Sequence, residues 1–145
     1  MAKKKGYPLG TFMKEFGTER KCREYLANLR WPDGFICPKC GCRHACLLSN
    51  GRYQCAECHH QTSVTAGTVL HRTHMPLTQW FLAFYFVSQD KRGISAVALM
   101  SMLGTTYKTA WHMLMRIRTA MGQRDKMHRL NGTIEFDDTY FGGPT

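Results

Sequence analysis

The sequence predicts an α+β chain in which a small four-cysteine module of strands and turns is followed by a three-helix region and then by a single strand. Three observations predict it. Two C-x-x-C pairs, Cys37/Cys40 and Cys55/Cys58, sit in a turn-rich stretch; apolar residues recur at helical spacing from Leu77 to Met121; and the run Thr133 to Phe141 is rich in β-branched and aromatic residues.

Taken in order, residues 1–17 read as a basic, loosely ordered arm, with Lys3, Lys4 and Lys5 followed by Gly6, Pro8 and Gly10. Residues 18–69 read as a short helix plus the cysteine module. Thr18 caps a helix that carries Cys22, Tyr25, Leu26 and Leu29 on one face, and Trp31 to Gly34 end it. From Phe35 to Val64 the signals are short strands and tight turns, with Gly41 and Gly51 at turn positions. Residues 74–122 read as three helices. Pro76 opens the first, which continues through Leu77, Trp80, Phe81, Phe84 and Val87. Ser95 caps the second, carrying Val97, Leu99, Met100 and Leu103, and Gly104 stops it. The third places Tyr107, Ala110, Trp111, Leu114, Ile117 and Met121 at helical spacing, with Gly122 as its stop. The methionines at 100, 102, 113, 115 and 121 read as core filling. Residues 131–145 hold the predicted strand, closed by Gly142, Gly143 and Pro144.

Composition narrows the partners. The 145 residues carry 20 Lys and Arg against 10 Asp and Glu, a formal charge of +10 that favours an anionic partner. The charge is uneven: residues 1–69 carry +6, residues 70–130 carry +7 and residues 131–145 carry −3. The apolar run Trp80 to Val87 is far shorter than the roughly 20 residues that span a bilayer, and no signal-peptide pattern follows the opening lysines. The expectation is a soluble, cytoplasmic chain without a membrane partner.

The two C-x-x-C pairs are separated by 14 residues, a spacing that lets four thiolates close on one ion. A stretch of about 30 residues cannot bury enough apolar surface to fold alone, whereas structural zinc contributes on the order of 10 kcal/mol. Cys37, Cys40, Cys55 and Cys58 are therefore the predicted zinc ligands, and a site with four protein ligands is structural. A thiol redox motif and unrelated surface cysteines are the competing readings. Cys22, Cys42, Cys46, His44, His59 and His60 lie nearby but lack partners at matching spacing.

Residues 94–121 give a short helix, a glycine turn and a longer helix, the plan of a helix-turn-helix whose second helix enters the major groove. With Trp111, Leu114 and Ile117 turned inward, Lys108, Thr109, His112 and Arg116 lie outward, and Thr105 sits in the turn, so these five are the candidate contacts to double-stranded DNA. A three-helix bundle with a merely solvated basic face fits the same pattern. The scarcity of acids between residues 70 and 130 favours DNA, through counterion release. Further on, Glu135, Asp137 and Asp138 stand inside an apolar strand pattern, where carboxylates are costly unless paired or bound to a cation.

Arg30-Trp31-Pro32-Asp33-Gly34-Phe35 leading to Cys37-Pro38-Lys39-Cys40-Gly41, then Tyr53-Gln54-Cys55 and Thr62 to Thr68, resembles bacterial insertion-sequence transposases with an N-terminal zinc ribbon. The resemblance continues through Trp80-Phe81 and Tyr107 to Trp111 and into Glu135 to Gly143, roughly Phe12 to Gly143 in all. It implies a ribbon and helix-turn-helix that bind transposon terminal inverted repeats, a homo-oligomeric assembly of the complete enzyme, and an RNase H-like core with a DDE-type carboxylate set using Mg2+. Asp137 matches the first catalytic carboxylate, which is also a magnesium ligand in a complete core. The family usually carries Glu at the next position, where this chain has Asp138. Only seven residues follow Asp138, none acidic, so the expectation is the first strand of a truncated core that binds DNA without cutting it. A stand-alone zinc-ribbon regulator or interaction module is the alternative.

Overall fold

The structure, a computed structural model, describes residues 7–90 and 92–125. Among them are helices α1 (Leu9–Phe16), α2 (Glu19–Arg30), α3 (Leu77–Gln89), α4 (Ala96–Leu103) and α5 (Tyr107–Asp125) and strands β1 (Ala45–Leu47), β2 (Tyr53–Cys55) and β3 (Gln61–Thr62). The strand expected over Thr133 to Phe141, with Asp137 and Asp138, lies outside the described residues.

The three strands form an antiparallel meander in the order β1-β2-β3, with Ala45 opposite Cys55 and Tyr53 opposite Thr62. Strands of two or three residues cannot hold a core. Their outer support is an aromatic trio in which Trp31 lies 5.1 Å from Tyr53 and Phe35 stacks on Tyr53 at 5.7 Å. Gly51 closes the β1–β2 turn at φ +75°, a conformation open to glycine at little steric cost.

The apolar core lies in the helices. Phe12 of α1 and Cys22 of α2 are buried in one cluster with Leu77, Trp80 and Phe81 of α3, Leu99 and Leu103 of α4, and Ala110, Met113, Leu114 and Ile117 of α5. The opening segment thus departs from the expected loose arm over Leu9–Phe16. Phe12, Phe16 and Leu9 recur at helical spacing, and Phe12 and Phe16 pack on Tyr85 and Phe81 of α3.

Capping explains the helix boundaries. Thr18 accepts a hydrogen bond from the Lys21 amide, and Ser95 from the Ala98 amide at 3.1 Å. Gly104 ends α4 at φ +62°, its amide and that of Thr105 both closing on the Met100 carbonyl. Pro76, preceding α3, has no side chain for the purpose. Glu19 of α2 supplies it, its carboxylate accepting from the Leu77 amide at 2.8 Å and from the Thr78 amide at 3.4 Å.

Two expectations for α5 are corrected. The helix runs through Gly122 to Asp125; a glycine inside a helix costs only about 1 kcal/mol and no competing contact ends the helix there. Its buried stripe is Ala110, Met113, Leu114 and Ile117, whereas Trp111, expected inside, is 42% exposed, and Tyr107 and Met121 are also exposed. The core stripe Ala110/Leu114/Ile117 can be widened on either flank, and the flank taken into the core is that of the flexible, unbranched Met113. Core filling describes Met113 and, in part, Met100; Met102, Met115 and Met121 face outward. On α4, Val97 is likewise exposed.

Candidate metal centre and basic helical face

Each C-x-x-C pair forms a knuckle. In the first, the Gly41 amide donates to the Cys37 carbonyl and the Cys37 amide to the Cys42 carbonyl at 2.9 Å; in the second, the Cys55 amide donates to the His60 carbonyl at 3.0 Å. The two knuckles therefore close alike, each first cysteine bonding the carbonyl five residues on. The residue after each second cysteine is left-handed: Gly41 at φ +76° and His59 at φ +54°. The sequence marks the first through its glycine. In the second, a histidine holds the conformation.

The knuckles face each other. Cys40 Sγ lies 3.4 Å from Cys55 Sγ and Cys37 Sγ 3.6 Å from Cys58 Sγ, and all four sulfurs lie within 4.8 Å of one another. Zinc–sulfur bonds of about 2.3 Å put the corners of a tetrahedron about 3.8 Å apart, so the cluster has the size that zinc requires. Its protonation fits as well. The Cys58 amide, aided by that of Glu57 and by neighbouring thiols, favours the Cys55 thiolate against burial and lowers its pKa to about 6. Burial opposes the Cys37 thiolate, but the Cys40 and Lys39 amides outweigh it and lower its pKa too. The Cys42 amide favours the Cys40 thiolate, yet the crowding sulfurs and burial prevail and push that thiol up to about 12. Four thiolates this close repel, and a divalent cation is what removes the conflict.

No other His or Cys joins the cluster among the described residues. Cys22 is buried in the helical core, where desolvation and the Glu19 charge push its thiol up to about 11. Cys42 is tied locally to His44, and Cys46 is exposed on β1.

The sequence carries the same signature. Residues 17–61 match the family described as transposase zinc-ribbon domain. The four cysteines are thus the structural zinc site of a zinc ribbon, with both knuckles inside the span similar to that family. The likeness continues beyond the ribbon: the chain is 30% identical over 132 residues, 88% of its length, to an uncharacterized protein in transposable element ISH50 of Halobacterium salinarum. It spans 44% of that relative's length. No solved structure matches the chain significantly.

The five residues expected to face DNA divide into two groups. Lys108 and His112 are exposed on the outer face of α5, His112 beside the Trp111 ring at 5.1 Å. Of the others, Thr109 and Arg116 are bonded within the protein and Thr105 has its hydroxyl buried. Thr109 exchanges a 3.0 Å hydrogen bond with Thr106, whose hydroxyl also accepts from the Thr109 amide to cap α5. Thr105 Oγ1 is buried without a protein partner among the described residues. Arg116 Nη1 donates to the His71 carbonyl at 2.9 Å and to the Val69 carbonyl at 3.4 Å.

Arginines recur in this role. Arg118 bonds the Ile94 carbonyl at 3.0 Å, and Arg30 bonds the Val64 carbonyl at 3.1 Å and that of Ala66 while lying over the Trp31 ring. Part of the positive charge that suggests an anionic partner therefore ties down irregular backbone. In compensation, the fold brings up a cation and two imidazoles that helical periodicity does not mark: Arg72, His71 and His74, from the segment between β3 and α3, are exposed beside α5. Within the described residues, no helix is long and apolar enough to cross a membrane.

Proposed function

We propose that the chain is the DNA-binding front portion of a transposase, which holds transposon terminal inverted repeats through its zinc ribbon and the α4–turn–α5 unit. The observation that carries this reading is the transposase zinc-ribbon match, joined to a likeness over most of the chain to a transposable-element protein. The charge of +10 and the exposed Lys108 and His112 are in keeping with it. In this reading α4 and α5 act as a helix-turn-helix, with α5 in the major groove, where Lys108 meets phosphate and His112 meets base edges. Thr105 and Thr109, near the start of α5, approach the backbone there. Zinc takes no part in chemistry; it fixes the ribbon so that a short, weakly cored module keeps one shape on DNA.

The reading extends to the complete enzyme. Asp137 is the first carboxylate of a DDE-type, RNase H-like core, binding Mg2+ together with carboxylates from the remainder of that core, and the enzyme cleaves DNA at element ends and joins the strands to a target as a homo-oligomer.

The test is a gel-shift titration of the zinc-loaded chain on the terminal repeat of its element and on a scrambled duplex. Tighter binding to the repeat is expected, and equal, weak binding to both at moderate salt would contradict the reading. Lys108→Ala should weaken binding to both duplexes and lower the slope of log K against log salt by about 0.9, one phosphate contact.

A further inference from the structure

Between β3 and α3, residues 63–76 form no helix or strand, yet they are held from three sides. Arg30 of α2 binds the Val64 and Ala66 carbonyls, Arg116 of α5 binds those of Val69 and His71, and Trp80 of α3 donates its indole N–H to Thr73 Oγ1 at 2.6 Å. Leu70 is buried in the helical core between these ties. Just after the Arg116 clamp, Arg72 sits at φ +53°, a left-handed conformation that a long side chain holds only where its surroundings enforce it.

Arg116 also divides two open clefts. One, of about 530 Å³, lies between residues 67–71 and the outer face of α5 and includes His71 and His112. The other, of about 260 Å³, includes Arg72, His74, Thr109 and His112. Among the described residues no carboxylate lines either cleft. The His71 ring accepts the Gly67 amide at Nδ1, which leaves its Nε2 as the hydrogen-bond donor.

From this we infer that residues 67–74 are a second DNA-backbone contact, a loop built in advance beside α5, and that Arg116 acts as a positioning residue for it instead of as a direct contact. The inference rests on the proposed DNA binding and assigns the part of the surface that grips phosphate. Arg72 offers positive charge and His71 and His74 offer imidazole hydrogen-bonding groups beside His112 on α5, and the acid-free clefts suit a sugar-phosphate strand. Because the loop is ordered before DNA arrives, binding does not have to supply its ordering entropy. A flexible loop of this length would gain far less from the same charges.

The experiment uses the zinc-loaded chain, a scrambled DNA duplex and the element's terminal repeat, with binding followed over a range of salt. Arg72→Gln, at an exposed side chain, should weaken binding to both duplexes by a similar factor of several-fold and lower the salt slope by about 0.9. Arg116→Gln should weaken binding at least as much, and the pair together should do little more than Arg116→Gln alone, because the second change removes a contact already misplaced. Hydrogen exchange without DNA should quicken at residues 69–74 in Arg116→Gln and not in Arg72→Gln, which separates positioning from contact. Full affinity and slope in Arg72→Gln, with binding still weakened by Lys108→Ala, would overturn the loop contact while leaving the proposed function standing. Additive losses with unchanged exchange would overturn the positioning role. A wild-type chain that binds neither duplex would bring down the underlying reading, and this inference with it.

Discussion

At the scale of single residues, the ribbon is the clearest case of sequence dictating structure. Two matched cysteine pairs specify four ligands, and the sulfurs meet within 4.8 Å. Replacing Cys58 by Ser should release zinc and unfold the ribbon, since a hydroxyl does not replace a thiolate and the ion supplies the folding free energy of so small a module. Metal content and protease resistance read the outcome, and retention of both would contradict the assignment. The second knuckle holds a detail that residue type does not reveal, His59 at φ +54°. A non-glycine residue in this conformation costs about 1–2 kcal/mol, whereas glycine adds about 0.5–1 kcal/mol of unfolded-chain entropy. Relief of strain outweighs that entropy, so His59→Gly should stabilise the zinc-loaded chain by up to about 1 kcal/mol, seen as a higher urea midpoint at unchanged slope. The exposed 3.4 Å contact between His59 and Gln54 is too weak to reverse this; a lowered midpoint would show that the imidazole does more than occupy the turn.

At the scale of elements, local signals and tertiary packing contribute unequally. Thr18, Ser95, Pro76 and Gly104 mark helix boundaries because their effects are local, and the structure has helices starting or stopping at each. What the sequence does not announce is contact across distance. The pattern of α5 allows Trp111 or Met113 inward, and only the assembled core decides for Met113. Residues 9–16 look like a basic arm until Phe12 and Phe16 find the aromatic face of α3. The expected DNA face is partly legible for the same reason: Lys108 and His112 lie outward as read, but Arg116 is turned to carbonyls 45 and 47 residues away in sequence. Glu19 capping α3 from 58 residues away is another such link. Glu19→Gln keeps the shape and removes the charge that favours the α3 N-terminus, and should cost about 1 kcal/mol of stability in chemical denaturation. No loss would mean that solvent caps α3 equally well.

At the scale of the whole molecule, two stabilising devices stand side by side. The helices share an apolar core, while the ribbon depends on an ion and an aromatic trio. Arg30, at the end of α2, reaches from the helices to the chain leaving β3, so the ribbon's shape bears on the clamped segment beside α5. Positive charge serves both purposes: some arginines hold backbone and other cations face outward, and a count of Lys and Arg does not distinguish them. In the proposed DNA-binding role, zinc-imposed shape is what lets this chain hold DNA. Fluorescence anisotropy of a labelled terminal-repeat duplex, with the zinc-loaded chain, with chelator-treated chain, and after zinc is restored, measures that dependence. Affinity for the repeat should fall on chelation and return with zinc; undiminished affinity in the metal-free chain would contradict the claim.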